Sequence, residues 1–202
     1  MLKFLFDRIL AFLGLVILSP VLLVVALLVR IKMPDGPVLF RQERIGKDGK
    51  PFSLVKFRTM AGDQTGDTVT VAGDPRVTPL GAVLRRYKLD ELPELWNVLV
   101  GDMSFVGPRP DVPGYADALT GEDREILQLR PGITGPATLK YRNEEELLAG
   151  FEDPVRYNDE FIFPDKVRLN RKYLQNQSLG LDLRILLATL TGGNLHFDGE
   201  ML

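Results

Sequence analysis

Residues 9–29 carry no charge, and this run constrains the fold more than any other feature of the chain. The hydrocarbon core of a bilayer takes about 20 apolar residues as a helix, so the run is long enough to span one. It is long for the apolar core of a signal peptide, and no small-residue cleavage site follows it. Ser19-Pro20 stands in its middle. An interior proline removes one helix hydrogen bond and clashes with the preceding turn, at a cost of roughly 3 kcal/mol in water. In lipid the carbonyl it frees needs another donor, and the Ser19 hydroxyl can supply one. Lys3 and Arg8 precede the run, and Arg30 and Lys32 follow it. Positive charge on both flanks favours the cytoplasm for both ends. A helix that enters, breaks at Ser19-Pro20 and returns satisfies both conditions. The residues leave an ordinary kinked span open beside it.

The cluster Met33-Pro34-Asp35-Gly36-Pro37 marks a boundary between a membrane helix over 1–33 and a second domain over 34–202. From Arg30 to Arg58 there are eight Lys or Arg against the acids Asp35, Glu43 and Asp48. Basic residues beside an apolar anchor suit an anionic cytoplasmic leaflet. Net charge is −2, so the chain as a whole gives no reason to expect a nucleic-acid partner. With no cysteine there is no disulfide framework, thiolate nucleophile or cysteine metal site. The single histidine is His196, so acid–base work falls to carboxylates.

Strand-like runs at 38–45 and 52–60 flank a linker containing Asp48-Gly49, which predicts a β-hairpin with a longer loop. Residues 61–79 read as a mobile polar loop. Helices are expected over 80–100, interrupted near Asp90, and over 121–129, 144–150 and 165–175, while 181–190 is apolar on most sides with Asp182 and Arg184 inserted. Pro108, Pro110 and Pro113, and later Arg130-Pro131-Gly132, fix extended or turning backbone. The helices are short and do not alternate with strands, so a doubly wound sheet is not expected. No glycine-rich phosphate loop is present. The fold class read from the pattern is α+β and mainly helical.

Asp90 and Glu91 lie in Arg85-Arg86-Tyr87-Lys88-Leu89-Asp90-Glu91-Leu92-Pro93. Paired carboxylates among cations can hold a divalent metal, attack a phosphorus, or do both. The same spacing fits a helix start, with Asp90 as cap and Pro93 in the first turn. Arg58, Arg85, Arg109 and Arg142 each stand beside structure breakers or aromatic residues, and planar guanidinium groups bind phosphate oxygens in pairs. Any one of them taken alone also fits a surface ion pair. Arg109 is the exception, because Pro108 and Pro110 fix its direction.

These stretches resemble the bacterial sugar transferases, the small monotopic phosphoglycosyl transferases. The matching pieces are Gly36-Pro37-Val38-Leu39-Phe40-Arg41-Gln42-Glu43-Arg44-Ile45-Gly46, Lys56-Phe57-Arg58-Thr59-Met60, Asp74-Pro75-Arg76-Val77-Thr78, Leu84-Arg85, Leu89-Asp90-Glu91-Leu92-Pro93, Trp96-Asn97-Val98-Leu99, Pro108-Arg109-Pro110, Arg130-Pro131-Gly132-Ile133-Thr134-Gly135 and Leu181-Asp182-Leu183. The resemblance implies transfer of a sugar 1-phosphate from a UDP-sugar to polyprenyl (undecaprenyl) phosphate, releasing UMP. It implies Asp90 as nucleophile, through a covalent aspartyl-phosphosugar intermediate. It implies Glu91 as the Mg²⁺-associated partner, with Asp90 beside the metal. Arg109, between Pro108 and Pro110, matches a donor contact, and Arg85, Arg142 and Asp182 match further active-site positions. Ser19-Pro20 matches the break of a re-entrant helix, and interfacial amphipathic helices accompany it. The implied location is the cytoplasmic face of a bacterial inner membrane, at the first membrane step of surface-glycan synthesis, with downstream glycosyltransferases as possible partners.

Three departures bear on the donor sugar rather than the reaction. Gly135-Pro136-Ala137-Thr138 stands where many members have Gly-Leu-Ala-Gln, Glu94 stands where many have Gln, and Asn170 stands where an Asp is common. Two competing readings are a Mg²⁺-dependent hydrolase of a membrane diphosphate and a non-enzymatic membrane scaffold. The topology can be tested directly, because any introduced cysteine is unique. Lys3→Cys is expected to resist an impermeant maleimide added on the periplasmic side and to react once the cytoplasmic face is opened. Labelling from the periplasm alone would sink the re-entrant arrangement. Pro20→Leu is expected to shift some molecules toward a full span.

Overall fold

The computed structural model describes residues 2–61 and 74–202. Most of the loop expected at 61–79 therefore lies outside the described residues. The described chain divides into two compact units. One holds 2–43, 53–61 and 74–101, and the other holds 44–52 and 102–202.

The first unit begins with helix α1 (Leu2–Lys32). Two helical pieces separated by a break are expected here, but the helix is continuous through Pro20. Proline at position 20 leaves the Val16 carbonyl without its usual donor. The Ser19 Oγ donates to that same carbonyl at 2.8 Å, and helical backbone persists. One stripe of α1 is covered: Asp7, Ala11, Val25 and Val29 are buried, at helical spacing. Gly14 continues the stripe, with room for no more than an ordinary contact between an added Cβ and Leu95 (3.4 Å). The other faces are bare; Ile17 and Leu23 are each 71% exposed.

Strands β1 (Leu39–Ile45) and β2 (Pro51–Phe57) pair across a single 3₁₀ turn, Lys47–Gly49, so the expected hairpin is present. Its tip, 44–52, belongs to the second unit. Helix α2 (Pro79–Arg86) starts at Thr78, whose Oγ1 accepts from the Gly81 N–H at 2.9 Å. A 3₁₀ turn, Leu89–Glu91, and helix α3 (Glu94–Val100) follow, matching the expected interruption. Asn97 docks α3 on β2: its Oδ1 accepts from the Val55 N–H (3.1 Å) and its Nδ2 donates to the Ser53 carbonyl (2.8 Å). Val25, Val29, Met33, Phe57 and Leu84 form the apolar core of this unit.

In the second unit, β3 (Ser104–Val106) pairs in parallel with β4 (Gly132–Thr134). Short 3₁₀ stretches at Ala116–Ala118 and Gly121–Gln128 lie between them, the latter where a charged helix is expected. Helices α4 (Pro136–Lys140), α5 (Glu144–Leu148) and α6 (Pro154–Tyr157) follow. A π-helical turn at Asn158–Ile162 leads into α7 (Phe163–Asn176). Helix α8 (Leu179–Thr191) and the small ladder of β5 (His196–Phe197) with β6 (Glu200–Met201) complete it. Leu169, Tyr173, Ile185 and Val106 sit in its core.

Every sheet among the described residues has two strands, in keeping with the α+β, mainly helical reading. The β3–β4 pairing depends on glycine. A Cβ at Gly107 would stand 2.2 Å from the Arg130 carbonyl oxygen, and one at Gly132 would stand 2.2 Å from the Gly107 nitrogen. Hydrogen bonds from Gly107 N–H to the Thr134 carbonyl (2.9 Å) and from Gly132 N–H to the Pro108 carbonyl (2.7 Å) hold the two segments at that distance. Gly107→Ala is expected to destabilise by about 1–3 kcal/mol, the usual cost of overpacking, and to lower the melting temperature in detergent. Gly180→Ala, where an added Cβ meets nothing within 4 Å, is the control and is expected to cause no loss.

Candidate active site

In the first unit the chain leaves α2 through Tyr87 and Lys88. Lys88 adopts the left-handed conformation (φ 54°), which turns the backbone into the Leu89–Glu91 turn. A non-glycine residue there is a position worth scrutiny in any fold. Asp90 is buried, and its Oδ1 has no hydrogen-bond partner. The reading of Asp90 as a helix cap is therefore corrected: the residue before α3 is Pro93, and no side chain caps that helix. Burial pushes the Asp90 carboxyl above its ordinary range, and the neighbouring Glu91 charge pushes it further. Lys56, Lys88 and Arg85 pull the other way. An uncompensated buried carboxylate oxygen is costly, and such groups concentrate at functional sites.

Glu91 is held by Lys56, whose Nζ lies 3.2 Å from its Oε1. The same ammonium lies 3.1 Å from Glu94 Oε1. The sequence pattern does not single out Lys56 or Glu94 for chemistry, and Glu94 stands out in it only as a departure. Thirty-five positions separate Lys56 from Glu91, so local spacing carries no sign of this pairing. Arg85 donates from Nε to Thr59 Oγ1 at 3.1 Å. Arg58 is buried, and its Nη2 donates to the Met33 carbonyl just beyond α1. Gly36 makes room for it, since a Cβ there would lie 1.9 Å from Arg58 Nη1. The Asp74-Pro75-Arg76 motif closes on itself, with the Arg76 backbone N–H and guanidinium both bonded to the Asp74 carboxylate.

In the second unit, Arg109 lies on a pinned loop. The Pro108 carbonyl accepts from Gly132 N–H, and the Pro110 carbonyl accepts from Arg44 Nη1 at 3.2 Å. Arg109 and Asp111 line a cavity together with Ile45, Ala116, Leu127 and Leu129. Asp111 escaped the sequence reading. Burial raises its carboxyl to about 6, against the opposing charges of Lys166, Arg44 and Arg109. Arg142 gives three donors to main chain, reaching the Leu139 (3.0 Å), Gly192 (2.9 Å) and Gly193 (3.1 Å) carbonyls. It thereby ties down the end of α8. Asp182 is 2% exposed and accepts from the Tyr173 hydroxyl. Thus Asp90, Glu91, Arg85 and Arg58 share the first unit, and Arg109, Arg142 and Asp182 share the second.

Among the described residues no group of three or more acids, histidines or cysteines is placed to hold a metal ion unaided. Glu91, with the bare oxygen of Asp90, nonetheless suits Mg²⁺, which is commonly bound by one or two carboxylates and completed by substrate phosphates.

The chain belongs to the bacterial sugar transferase family, whose model matches residues 1–193. It is 40% identical over 197 residues to the UDP-glucose:undecaprenyl-phosphate glucose-1-phosphate transferase of Escherichia coli (strain K12), covering 93% of this chain and 39% of that protein. It is 40% identical over 177 residues to the protein of the same name from Caulobacter vibrioides, covering 85% of this chain and 62% of that one. It is also 38% identical over 198 residues to the exopolysaccharide production protein PSS of Rhizobium leguminosarum bv. phaseoli, covering 94% and 93%. The chain thus spans about two fifths of the length of the first of these relatives and nearly all of the last.

The raised Asp111 carboxyl has a signed consequence for stability. A carboxyl whose folded value lies above its unfolded one favours folding most when protonated. That contribution is complete below about pH 4 and is lost as pH rises through about 6. The melting-temperature difference between wild type and Asp111→Asn is therefore expected to move against wild type between pH 4 and pH 7. A difference that stays constant over this range would show that Asp111 does not titrate there.

Proposed function

We propose that the protein transfers a sugar 1-phosphate from a UDP-sugar to undecaprenyl phosphate, with Asp90 as a covalent nucleophile. The observation that carries this reading is the buried Asp90 oxygen without a hydrogen-bond partner, set beside Glu91 and among the charges of Lys56, Lys88 and Arg85. The similarity to transferases named for UDP-glucose and undecaprenyl phosphate supports the substrate pair.

In the first step an Asp90 carboxylate oxygen attacks the sugar-bearing phosphorus of the donor. The phosphorus–oxygen bond to UMP breaks, and UMP leaves with that electron pair. In the second step a phosphate oxygen of the lipid attacks the same phosphorus. The acyl-phosphate bond breaks, the polyprenyl diphosphate sugar departs, and the Asp90 carboxylate returns. Two modest displacements replace one between crowded anions. Glu91, with Asp90, would hold Mg²⁺. When bound, the metal supplies neutralisation of the diphosphate and assistance to the leaving group. Arg85 and Arg109 bind remaining phosphate charge, and the pinned carbonyls of Pro108 and Pro110 keep Arg109 aimed.

On this proposal α1 lies at the cytoplasmic face of the bacterial inner membrane, with its basic flanks Lys3 and Arg8 before it and Arg30 and Lys32 after it on the cytoplasmic side. Its covered stripe from Asp7 to Val29 extends about 33 Å at the helical rise. A lone straight span would be bathed in lipid on every side along that length. Instead one face is occupied by the unit that carries Lys56 and Glu94, whose charges are costly in hydrocarbon. The resulting lipid diphosphate sugar is the kind of product that begins a surface glycan.

Incubation with UDP-sugar and Mg²⁺ but no lipid is expected to release UMP only up to the amount of enzyme. Intact-mass analysis should then reveal a sugar-phosphate adduct on Asp90. Asp90→Asn is expected to fold and insert but to lose turnover on the order of a thousandfold or more. Strict dependence of donor cleavage on lipid, with no trappable adduct, would favour direct transfer with Asp90 as a base.

A further inference from the structure

Arg109 and Asp111 stand two positions apart on the strap 108–111, and both line one small cavity. Pro110 holds Arg109 in extended backbone, where residues two apart point to the same side. Three carbonyls fix the strap. Pro108 accepts from Gly132 N–H at 2.7 Å, Pro110 from Arg44 Nη1 at 3.2 Å, and Asp111 from Ile45 N–H at 2.9 Å. The cavity measures about 20 Å³, room for one water. No ring or phosphate of a nucleotide enters a space of that size, so Asp111 reaches a bound nucleotide only through its charge and through Arg109. Ile126, Leu127 and Leu129 form the wall beside it, and apolar walls screen charge poorly. Charged groups face Asp111 from the elements around it: Arg44 on β1, Glu144 on α5, Lys166 on α7 and Arg109 on the strap. Glu144 and Lys166 are paired at 2.6 Å. The neutral Tyr115 phenol faces it as well.

We propose that Asp111 is a positioning residue for Arg109: its carboxylate competes with the donor's phosphates for the guanidinium and so loosens the nucleotide. The proposal rests on the transferase reading, with Arg109 as a donor contact. An enzyme of that kind releases UMP between its two steps, and a phosphate site made of arginines alone would hold this product as firmly as it holds the donor. A negative charge beside the arginine weakens the hold on both. Arg44 and Arg109 make other contacts too, and these are common to the charged and neutral forms of Asp111. What differs between the forms is one negative charge beside a site for anions, which also draws the guanidinium back toward the strap. Both effects lower donor affinity. Burial raises the Asp111 carboxyl to about 6, so the loosening sets in as pH rises through that value. Binding of an anionic donor works in reverse and pulls a proton onto Asp111.

Calorimetric titration of UDP-glucose with Mg²⁺ into the full chain in detergent, carrying Asp90→Asn so that no turnover occurs, tests this. The diphosphate of this probe does not itself titrate near pH 6. In this parent the Kd is expected to rise on the order of fivefold from pH 5 to pH 7.5, the effect of one nearby charge partly screened by salt. Adding Asp111→Asn is expected to abolish the rise and to leave binding at pH 7.5 tighter than the parent's by the same factor. Repeating the titration at pH 6 in buffers of different ionisation enthalpy should show net proton uptake in the parent and none with Asp111→Asn. Uptake in the parent keeps the test decisive if the Asp111 variant does not fold. With Asp90 intact, Asp111→Asn should lower the donor KM and strengthen inhibition by UMP. Equal Kd at both pH values in the parent, weaker binding with Asp111→Asn, or no proton uptake would overturn the proposal. If Arg109→Ala abolishes binding in the parent while those results come out flat, only the role of Asp111 falls. If the parent does not bind UDP-glucose, or binds it equally with Arg109→Ala, the reading of Arg109 as a donor contact falls and the proposal with it.

Discussion

The first unit is organised by the burial of one stripe of α1 against protein. Ala11 and Val29 are fully enclosed, and Leu95 packs beside Gly14 on the same stripe. From that seam outward the parts follow in order. Leu95 belongs to α3, α3 is fastened to β2 through the Asn97 amide, and β2 carries Lys56. Glu94, at the start of α3, completes the link back to Lys56. The acids are therefore placed by a chain of contacts that begins on an apolar helix. At the other end of α3, Gly101 leaves room for the Arg8 guanidinium, where a cation meets the negative end of a helix.

Much of this was legible in the sequence. Asp48-Gly49 between two apolar runs gave away the hairpin, and the break in helical pattern near Asp90 marked a real 3₁₀ turn. The proline reading was half complete. Pro20 does remove a bond, but Ser19 replaces it so directly that the helix continues where a break was expected. The pattern also missed the β3–β4 pairing. Three-residue strands are too short to show alternation, and their prolines and glycines suggested only turns.

The site was legible in part, for the same physical reason. Asp90, Glu91 and Arg109 announce themselves because their neighbours in sequence are unusual. Lys56, Glu94 and Asp111 draw their meaning from neighbours in space. Glu94 shares a lysine 38 positions upstream, and the Asp111 carboxyl is raised by burial against the opposing charges of cations as distant in sequence as Arg44 and Lys166. Arg142 is a further case. Three of its donors tie backbone carbonyls together, a structural part that its sequence setting does not show.

The parallel pairing of Ser104 with Gly132 and Val106 with Thr134 also bears on the order in which the protein assembles. Contacts inside α2, the Leu89–Glu91 turn and α3 are local and can form as soon as that stretch of chain is available. The Arg109 loop is different, because the carbonyl of Pro108 finds its donor only when Gly132 arrives. Closing so long a loop spends chain entropy before any hydrogen bond returns it. During synthesis the acid-bearing turn can therefore take shape while the arginine loop still waits for its glycine partner to emerge.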